Sequence, residues 1–254
     1  AVFSGLWVTS LAWDYAQSRI QAQRAAAILA QFVAAPVIQI LMRQGLHKSL
    51  APQRRQITVM VADMAGYTRL TASSTLEDCA RLTQEFLEAI TKPVLDAEGT
   101  LDRYTGDGLI AFWGAPLATP NHATKCITTA IEVFNALDRL NARRRDRGDP
   151  EISMRIGIES GEALVGDLGS SSRSAYTAVG DCINLASRLQ EVGRDLHESL
   201  VVGPRAQTES SLDLRKLGTY KIRGLDNAID LFTWNTGICR ARPGPNRAID
   251  QLTV

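Results

Sequence analysis

The 254-residue sequence predicts an α+β fold in which an antiparallel sheet carries long helices, and the order of its apolar segments supports this. The β-branched run from Gln56 to Ala62 has the composition of a buried strand. An amphipathic helix is predicted from Thr75 to Ala97, and two strands, Thr100 to Tyr104 and Leu109 to Trp113, then meet at a Gly-Asp-Gly turn. A second long helix, His122 to Arg145, precedes another strand. The resulting order, β-α-β-β-α-β, is typical of a ferredoxin-like sheet.

The elements after the second long helix are shorter. Asp181 is expected to cap the helix that follows it, because its carboxylate can accept hydrogen bonds from the amides of the first turn. The later strands are predicted at Ile152 to Glu159, Ala163 to Val165, Leu200 to Gly203, Leu214 to Arg223 and Asp230 to Trp234.

Three segments are expected: an N-terminal helical segment at 1–50, the main domain at 51–235 and a flexible C-terminal tail at 236–254. The chain from Ala1 to Trp13 carries no charge, and aromatic residues precede Arg19 and Arg24. A membrane-spanning helix needs about 20 apolar residues, so this stretch fits either the end of a membrane helix or a soluble amphipathic helix. The alanine-rich helix that follows fits both a helix that transmits a signal and one that only caps the domain.

The composition excludes some classes of partner and site. Lys and Arg number 28 against 27 acidic residues, so no global basic field favours nucleic acid. The four cysteines are far apart and lack metal-site spacing, which indicates reduced thiols in a cytosolic compartment. None of the three histidines has a neighbour at metal-ligand or triad-like spacing.

Two aspartates stand beside neighbouring strands of the predicted sheet. Asp63 follows the first strand, and Asp107 lies in the Gly-Asp-Gly turn. Two nearby carboxylates repel unless a cation lies between them, and Mg²⁺ binds one or two carboxylates together with substrate phosphates. One aspartate at a strand end is usually only a cap, but the two together predict a divalent-metal site.

The segment directly after Asp63 has the composition of a phosphate-binding turn. Its small residues lie at a predicted helix N-terminus, where backbone amides can face a triphosphate. The candidate residues are Met64, Ala65, Gly66, Tyr67 and Thr68.

Asn184 and Arg188 form a further candidate pair. They lie four residues apart on one predicted helix, so both side chains leave from the same face. An amide and a guanidinium on one face can hold a ribose oxygen and a phosphate together. An isolated pair of this kind is more often ordinary helix surface, so the functional interpretation depends on the two preceding segments.

Four ordered stretches resemble the catalytic domain of class III adenylate and guanylate (nucleotidyl) cyclases of the bacterial receptor type. The resemblance covers roughly 54–234. The stretches are V-A-D-M-A-G-Y-T (Val61 to Thr68), L-D-R-Y-T-G-D-G-L-I-A-F-W-G (Leu101 to Gly114), M-R-I-G-I-E-S-G (Met154 to Gly161) and Y-T-A-V-G-D-C-I-N-L-A-S-R-L (Tyr176 to Leu189).

The resemblance implies a cyclase core on the ferredoxin-like sheet and a role for each candidate. Asp63 and Asp107 are expected to bind two Mg²⁺ or Mn²⁺ ions per site, with help from the Met64 carbonyl. Asn184 is expected to orient the ribose, and Arg188 to stabilise the charged phosphorane. In this family the two aspartates and the Asn/Arg pair come from opposite protomers of a head-to-tail dimer, so a homodimer is expected.

The positions that read the base depart from the family pattern. Arg103 occupies the place of the adenine-selecting lysine, where guanylate cyclases are expected to carry Glu, and its donors suit an adenine ring nitrogen. Thr177 occupies the partner position, and Thr there resembles a bacterial branch that is often bicarbonate-responsive. Leu225 falls near the place of a phosphate-binding lysine, for which Lys221 or Arg223 is a candidate replacement.

The resemblance therefore implies an adenylate cyclase that converts ATP to 3′,5′-cyclic AMP and pyrophosphate. A cytoplasmic catalytic domain, attached to a membrane through the segment upstream, is expected.

Three alternatives remain at this point. A guanylate cyclase shares everything except the choice of base, and a degenerate relative would only bind nucleotide and regulate a partner. A diguanylate cyclase would need a Gly-Gly-Asp/Glu-Glu-Phe turn, which the sequence lacks at Thr105 to Leu109.

Overall fold

The computed structural model describes residues 51–235 except Ser73 and 171–174, together with isolated residues between 13 and 42. Apart from those isolated residues, the predicted membrane segment, the signalling or capping helix and the tail at 236–254 lie outside the described residues. Within the described residues, no helix has both the length and the apolar character that crossing a membrane requires. The division into three segments stays a prediction.

One eight-stranded sheet and five helices make up the described part of the domain. The strands are β1 (Gln53–Ala65), β2 (Thr100–Tyr104), β3 (Gly108–Trp113), β4 (Ser153–Asp167), β5 (Tyr176–Val179), β6 (Leu200–Val202), β7 (Leu214–Tyr220) and β8 (Ile229–Trp234). The helices are α1 (Tyr67–Thr71), α2 (Leu76–Asp96), α3 (His122–Asp146), α4 (Asp181–Asp195) and α5 (Pro204–Glu209).

The sheet confirms the predicted fold class. Its strand order is β2-β3-β1-β4-β6-β8-β7, and β5 pairs with β4 outside that path. The first four strands are antiparallel in the order β2-β3-β1-β4, which is the ferredoxin-like arrangement. β6 joins β4 in parallel, and the β7–β8 hairpin extends the sheet beyond it.

The two faces of β1 bury different helices, because successive side chains of a strand point to opposite faces. Met60 and Ala62 belong to the core cluster that includes side chains of α2 and α3. Val59 and Val61 belong to a second cluster, which includes side chains of α4. Asp63 continues the alternation from Val61, so its carboxylate lies on the face of the sheet that carries α4.

The structure corrects two predicted strand boundaries. β1 does not end before Asp63 but continues through Ala65, so Asp63 lies inside a paired strand. The two strands predicted on either side of Gly161 are one continuous strand, β4. Gly161 does not interrupt the strand, because it pairs with Ile57 of β1. The absence of a side chain there leaves room for α4, since an added Cβ would lie 3.1 Å from the Cβ of Cys182.

The predicted cap of α4 was also wrong. Gly180 is the N-cap residue and Asp181 is the first helical residue, and no side chain caps this end. The chain runs so close to β4 at this point that a Cβ on Gly180 would lie 2.8 Å from the Glu162 carbonyl oxygen. Close packing against the strand therefore fixes the start of the helix, in place of a side-chain hydrogen bond.

Candidate active site

Strand pairing brings the two predicted metal-binding aspartates together. Asp63 pairs with Gly108 across β1 and β3, and the Met64 amide donates a hydrogen bond of 2.9 Å to the backbone carbonyl of Asp107. The β2–β3 turn can approach β1 this closely because residue 108 is glycine, whose added Cβ would lie 2.2 Å from the Ala62 carbonyl oxygen. The turn thus places the Asp107 side chain beside Asp63.

The electrostatics of this pair are those of a site for a cation. Burial raises the pKa of Asp63 to about 6, and the charge of Asp107 and a hydrogen bond with its carboxyl add to the effect. Among the described residues, no cluster of three or more His, Cys, Asp and Glu side chains is arranged to hold a metal ion. Two carboxylates alone fit a hard cation such as Mg²⁺, which takes its remaining ligands from phosphates and water.

A positive side chain that the sequence analysis did not select lies on the other side of Asp63. Arg155 of β4 pairs directly with Asp63, and its charge lowers the pKa of that carboxyl against the other effects. Its Nε is buried and has no hydrogen-bond partner among the described residues. A polar residue between two buried positions, Met154 and Ile156, is the sequence signal that points to it.

The predicted phosphate-binding turn links β1 to α1. Gly66 adopts a left-handed conformation, with φ of 76°, that few other residues tolerate. The Tyr67 side chain turns inward, where its hydroxyl lies 3.2 Å from the Thr83 hydroxyl of α2. Tyr67 can therefore contribute a backbone amide to a ligand, as can Ala65 and Thr68 beside it.

Asn184 and Arg188 lie on α4 as predicted. Asn184 is exposed and Arg188 half-buried, and neither side chain forms a hydrogen bond or ion pair with another described residue. The helix that carries them packs closely on the sheet because Gly157 of β4 has no side chain. An added Cβ there would lie 2.1 Å from the Ala186 carbonyl oxygen.

The loop between β7 and β8 meets the Arg188 side chain. An added Cβ on Gly224 would lie 3.0 Å from both terminal nitrogens of Arg188, so the guanidinium lies directly over this glycine. Of the neighbouring candidates, Leu225 packs into an apolar cluster and Lys221 donates to the carbonyl of Asp226. Arg223 is exposed and forms no hydrogen bond or ion pair with another described residue.

The two predicted base-reading positions lie close to one another. Arg103 of β2 is about half exposed and forms an ion pair of 2.8 Å with Asp102. Thr177 of β5 lies beside the same carboxyl, and its Oγ1 is buried. Asp102 thus connects two residues that are far apart in the sequence, although the sequence analysis did not select it.

The aspartate pair and the Asn/Arg pair make no polar contact with each other in the described part of the chain. Among the described contacts, no hydrogen bond or ion pair joins Asp63 or Asp107 to Asn184 or Arg188. Within the described part of the chain, the carboxylates of the first pair and the amide and guanidinium of the second pair therefore do not bind each other.

Two curated relatives match most of the chain. Adenylate cyclase 1 of Rhizobium meliloti (strain 1021) is 31% identical over 207 residues, which are 79% of this chain and 31% of that protein. The adenylate cyclase of Anabaena cylindrica is 27% identical over 214 residues, which are 80% of this chain and 41% of that protein. The chain thus spans less than half the length of these relatives.

Solved structures share the fold. The crystal structure of the adenylyl cyclase CyaB from P. aeruginosa has a TM-score of 0.66 and 26% identity, over 72% of this chain and 95% of that one. The guanylyl cyclase Cya2 gives the same TM-score at 24% identity, over 71% of this chain and 92% of that one. The family model for the adenylate and guanylate cyclase catalytic domain matches residues 50–233. The chain belongs to this family of nucleotidyl cyclase catalytic domains.

Proposed function

We propose that the chain is an adenylate cyclase that converts ATP to 3′,5′-cyclic AMP and pyrophosphate at a site shared by two copies of the domain. The observation that carries the proposal is that the chain holds two chemically complementary sets of groups with no described contact between them. Asp63 and Asp107 repel one another and have the character of a cation site. Asn184 and Arg188 have no partner among the described residues and are free to meet a nucleotide.

Asp63 and Asp107 would hold two divalent ions, Mg²⁺ or Mn²⁺, with the Met64 carbonyl as a further oxygen ligand. When bound, such ions lower the pKa of the ribose 3′-hydroxyl and neutralise the charge of the phosphates. The raised pKa of Asp63 supports this role, because a cation would favour the ionised form that burial and Asp107 disfavour.

The remaining groups orient the substrate and compensate its charge. The backbone amides from Ala65 to Thr68 would face the phosphates, and the Arg155 guanidinium beside Asp63 would add positive charge to this end of the site. Asn184 would orient the ribose so that its 3′-oxygen attacks the α-phosphate in line, which is an intramolecular step. Arg188 would stabilise the negative charge that develops on that phosphate.

We expect a second copy to complete the site around one nucleotide. Within one chain, no described contact joins the two groups. A head-to-tail homodimer would set the aspartates of each copy opposite Asn184 and Arg188 of the other, which gives two equivalent sites. Attachment to a membrane through the segment at 1–50, and a cytoplasmic location, stay predictions.

Adenine is the proposed base because Arg103 carries only hydrogen-bond donors, which suit the N1 acceptor of adenine. The two curated relatives above are named adenylate cyclases, which supports the same choice. Cya2 is a guanylyl cyclase with the same fold, so the fold does not decide between the two bases.

A product assay tests the proposal. The purified protein is incubated with ATP or GTP, each with Mg²⁺ or Mn²⁺, and both cyclic products are measured. We expect cyclic AMP to form faster than cyclic GTP with either metal, and Arg188→Ala to lose the activity. Faster formation of cyclic GTP would make the chain a guanylate cyclase, and nucleotide binding without either product would make it a regulatory relative.

A further inference from the structure

Asp102 occupies an irregular position in the edge strand of the sheet. The pairing of β2 with β3 shifts between Leu101 and Arg103, which leaves Asp102 as the extra residue of a β-bulge. A bulge changes the direction in which neighbouring side chains point. Here the Asp102 side chain turns inward and is 2% exposed, while the adjacent Arg103 side chain stays 54% exposed.

The buried carboxyl of Asp102 faces both base-reading residues. Its Oδ2 forms the ion pair with Arg103, whereas its Oδ1 makes no hydrogen bond of standard geometry with any described residue. Thr177 Oγ1 is likewise buried and unpaired. Burial raises the pKa of Asp102, and the Thr177 hydroxyl acts against this, as do the charge of Arg103 and the Ala178 amide. Thr177 Oγ1 therefore lies beside the Asp102 carboxyl, of which one oxygen is unpaired.

The carboxylate restricts what the threonine hydroxyl can offer a ligand. An ionised carboxylate only accepts hydrogen bonds, whereas a hydroxyl has one proton and two lone pairs. Buried polar atoms are nearly always hydrogen-bonded in folded proteins, so the proton of Thr177 belongs on Oδ1 of Asp102. The hydroxyl then presents only lone pairs. The 6-amino group of adenine donates to such an oxygen, while the 6-oxo group of guanine is an acceptor and is repelled.

We propose that Asp102 is a positioning residue that sets the substrate preference of the site, by fixing the Thr177 hydroxyl as an acceptor and holding the Arg103 guanidinium beside it. This inference rests on the proposed cyclase function. It adds a residue that does not itself touch the nucleotide but decides which hydrogen-bonding groups the base meets. Arg103 keeps most of its five donors for the ligand, because the ion pair occupies one of them.

A purely structural role predicts a different outcome. If Asp102 only anchors the bulge, its replacement lowers stability and affects ATP and GTP turnover alike. If Asp102 sets the polarity of Thr177, its replacement changes the ratio of the two activities. Asp102→Asn suits the test, because the amide keeps the shape of the carboxyl but can donate a hydrogen bond to the Thr177 hydroxyl. The hydroxyl proton is then free to point toward the 6-oxo group of guanine.

The experiment measures kcat/KM for ATP and for GTP in wild type, Asp102→Asn, Thr177→Val and the double variant. We expect each single substitution to lower the ATP-to-GTP ratio roughly tenfold, the value of one hydrogen bond made with the wrong polarity. The double variant should lower it little further, because both changes remove the same interaction.

Asp78→Asn is the matched control. This exposed carboxylate also accepts from an arginine and a threonine, Arg81 at 2.7 Å and Thr75 at 2.8 Å, but it lies at the start of α2. The control should leave the ATP-to-GTP ratio unchanged. If a variant turns over too slowly, the ratio of dissociation constants for 3′-deoxy-ATP and 3′-deoxy-GTP gives the same comparison, since neither compound carries the attacking hydroxyl.

The wild-type and variant ratios answer different questions. If the wild type prefers ATP and Asp102→Asn keeps the same ratio, the inference is overturned and the proposed function stands. A wild type that forms no cyclic nucleotide contradicts the proposed function itself. A wild type that prefers GTP contradicts both the adenylate assignment and the polarity assigned to Thr177.

Discussion

Several charged side chains of the candidate site are only partly compensated by the described residues around them. Asp63 is destabilised in its ionised form by burial and by Asp107. The Nε of Arg155 is buried without a partner, and Arg188 lies over Gly224 without a hydrogen bond to any described residue. Unpaired polar groups cost stability, and their concentration in one place is a property of sites that bind a charged ligand.

Arg223 and Lys221 offer a test at the level of single residues. Both lie in the β7–β8 loop near Gly224, where the family resemblance implies a lysine that binds phosphate. Lys221 already donates to the carbonyl of Asp226, whereas Arg223 makes no hydrogen bond or ion pair with a described residue. We therefore expect Arg223, rather than Lys221, to bind phosphate.

Arg223→Ala should raise the KM for ATP about tenfold, because it removes a charge-assisted hydrogen bond to a phosphate. Lys221→Ala is the matched control and should change KM less, since its ammonium group is already engaged. Steady-state kinetics of the two variants, with thermal unfolding to confirm folding, make the comparison. A larger effect for Lys221→Ala would reverse the assignment.

Among the elements, α4 packs closely on β4 because of one small residue beneath it. Gly157 allows the helix backbone to touch β4, and an added Cβ would lie 2.1 Å from the Ala186 carbonyl oxygen and 2.4 Å from the Gln190 amide nitrogen. Backbone atoms cannot rotate away as side chains do. A substitution at Gly157 must therefore displace the helix that carries Asn184 and Arg188.

Gly157→Ala should lower stability by about 1–3 kcal/mol, the usual cost of overpacking. It should also lower kcat at least roughly tenfold, because small displacements of substrate-orienting groups are costly. Gly148→Ala is the control. Its added Cβ would have no atom within 4 Å, so it displaces no helix, but the φ of 78° at this residue strains the backbone when the side chain is added. The control should lose about 1 kcal/mol and keep wild-type kcat. Wild-type kcat in Gly157→Ala would show that the position of α4 is not critical.

The attachment of α5 to β4 depends on a buried carboxyl. Glu159 is 2% exposed, and its Oε1 accepts hydrogen bonds from the amides of Ser160 and Ala206. Its Oε2 has no partner among the described residues. Burial raises the pKa of Glu159 to about 7, with these amides and Arg205 acting in the opposite direction.

This shift predicts a pH dependence of stability. The folded state keeps the Glu159 proton up to about pH 7, whereas the unfolded chain loses it near the ordinary value of 4.5. Stability therefore falls as pH rises from about 4.5 to 7, by roughly 3 kcal/mol for this group. Glu159→Gln cannot ionise and should remove that part of the decline.

Denaturant unfolding of wild type and Glu159→Gln between pH 4.5 and 8 gives the difference directly. Glu162→Gln removes an exposed carboxylate from the same strand and serves as the control, so it should keep the wild-type decline. Parallel curves for wild type and Glu159→Gln would show that the buried carboxyl does not control this dependence.

Across the whole molecule, the sequence predicted the elements better than their contacts. Periodicity and turn residues predicted the two long helices, the β2–β3 hairpin and the ferredoxin-like order, because these patterns are local. The continuity of β4 through Gly161 and the start of α4 at Gly180 were missed. Both depend on how closely the helix approaches the strand, which no local pattern records.

The candidate site shows the same division. Spacing along the chain indicated Asp63, Asp107, Asn184 and Arg188, and strand pairing places the first two side by side. Arg155 was missed because its importance arises from its register opposite Asp63. Register and bulges are set by pairing between distant segments, so a single sequence predicts them poorly.

The central claim is that two copies of this chain build each active site together. It predicts that two inactive variants restore activity when they share a dimer. One variant is Asp63→Ala/Asp107→Ala, and the other is Asn184→Ala/Arg188→Ala. In a mixed head-to-tail dimer one site collects every substitution and the other collects none.

The most direct measurement is cyclic AMP formation from ATP by this mixed dimer, coexpressed with two different affinity tags and purified through both. Each variant alone should be inactive. The mixed dimer should have about half of the wild-type activity per dimer, because one of its two sites is intact. A mixed dimer that stays inactive, while a wild-type dimer with the same two tags is active, would contradict the shared site.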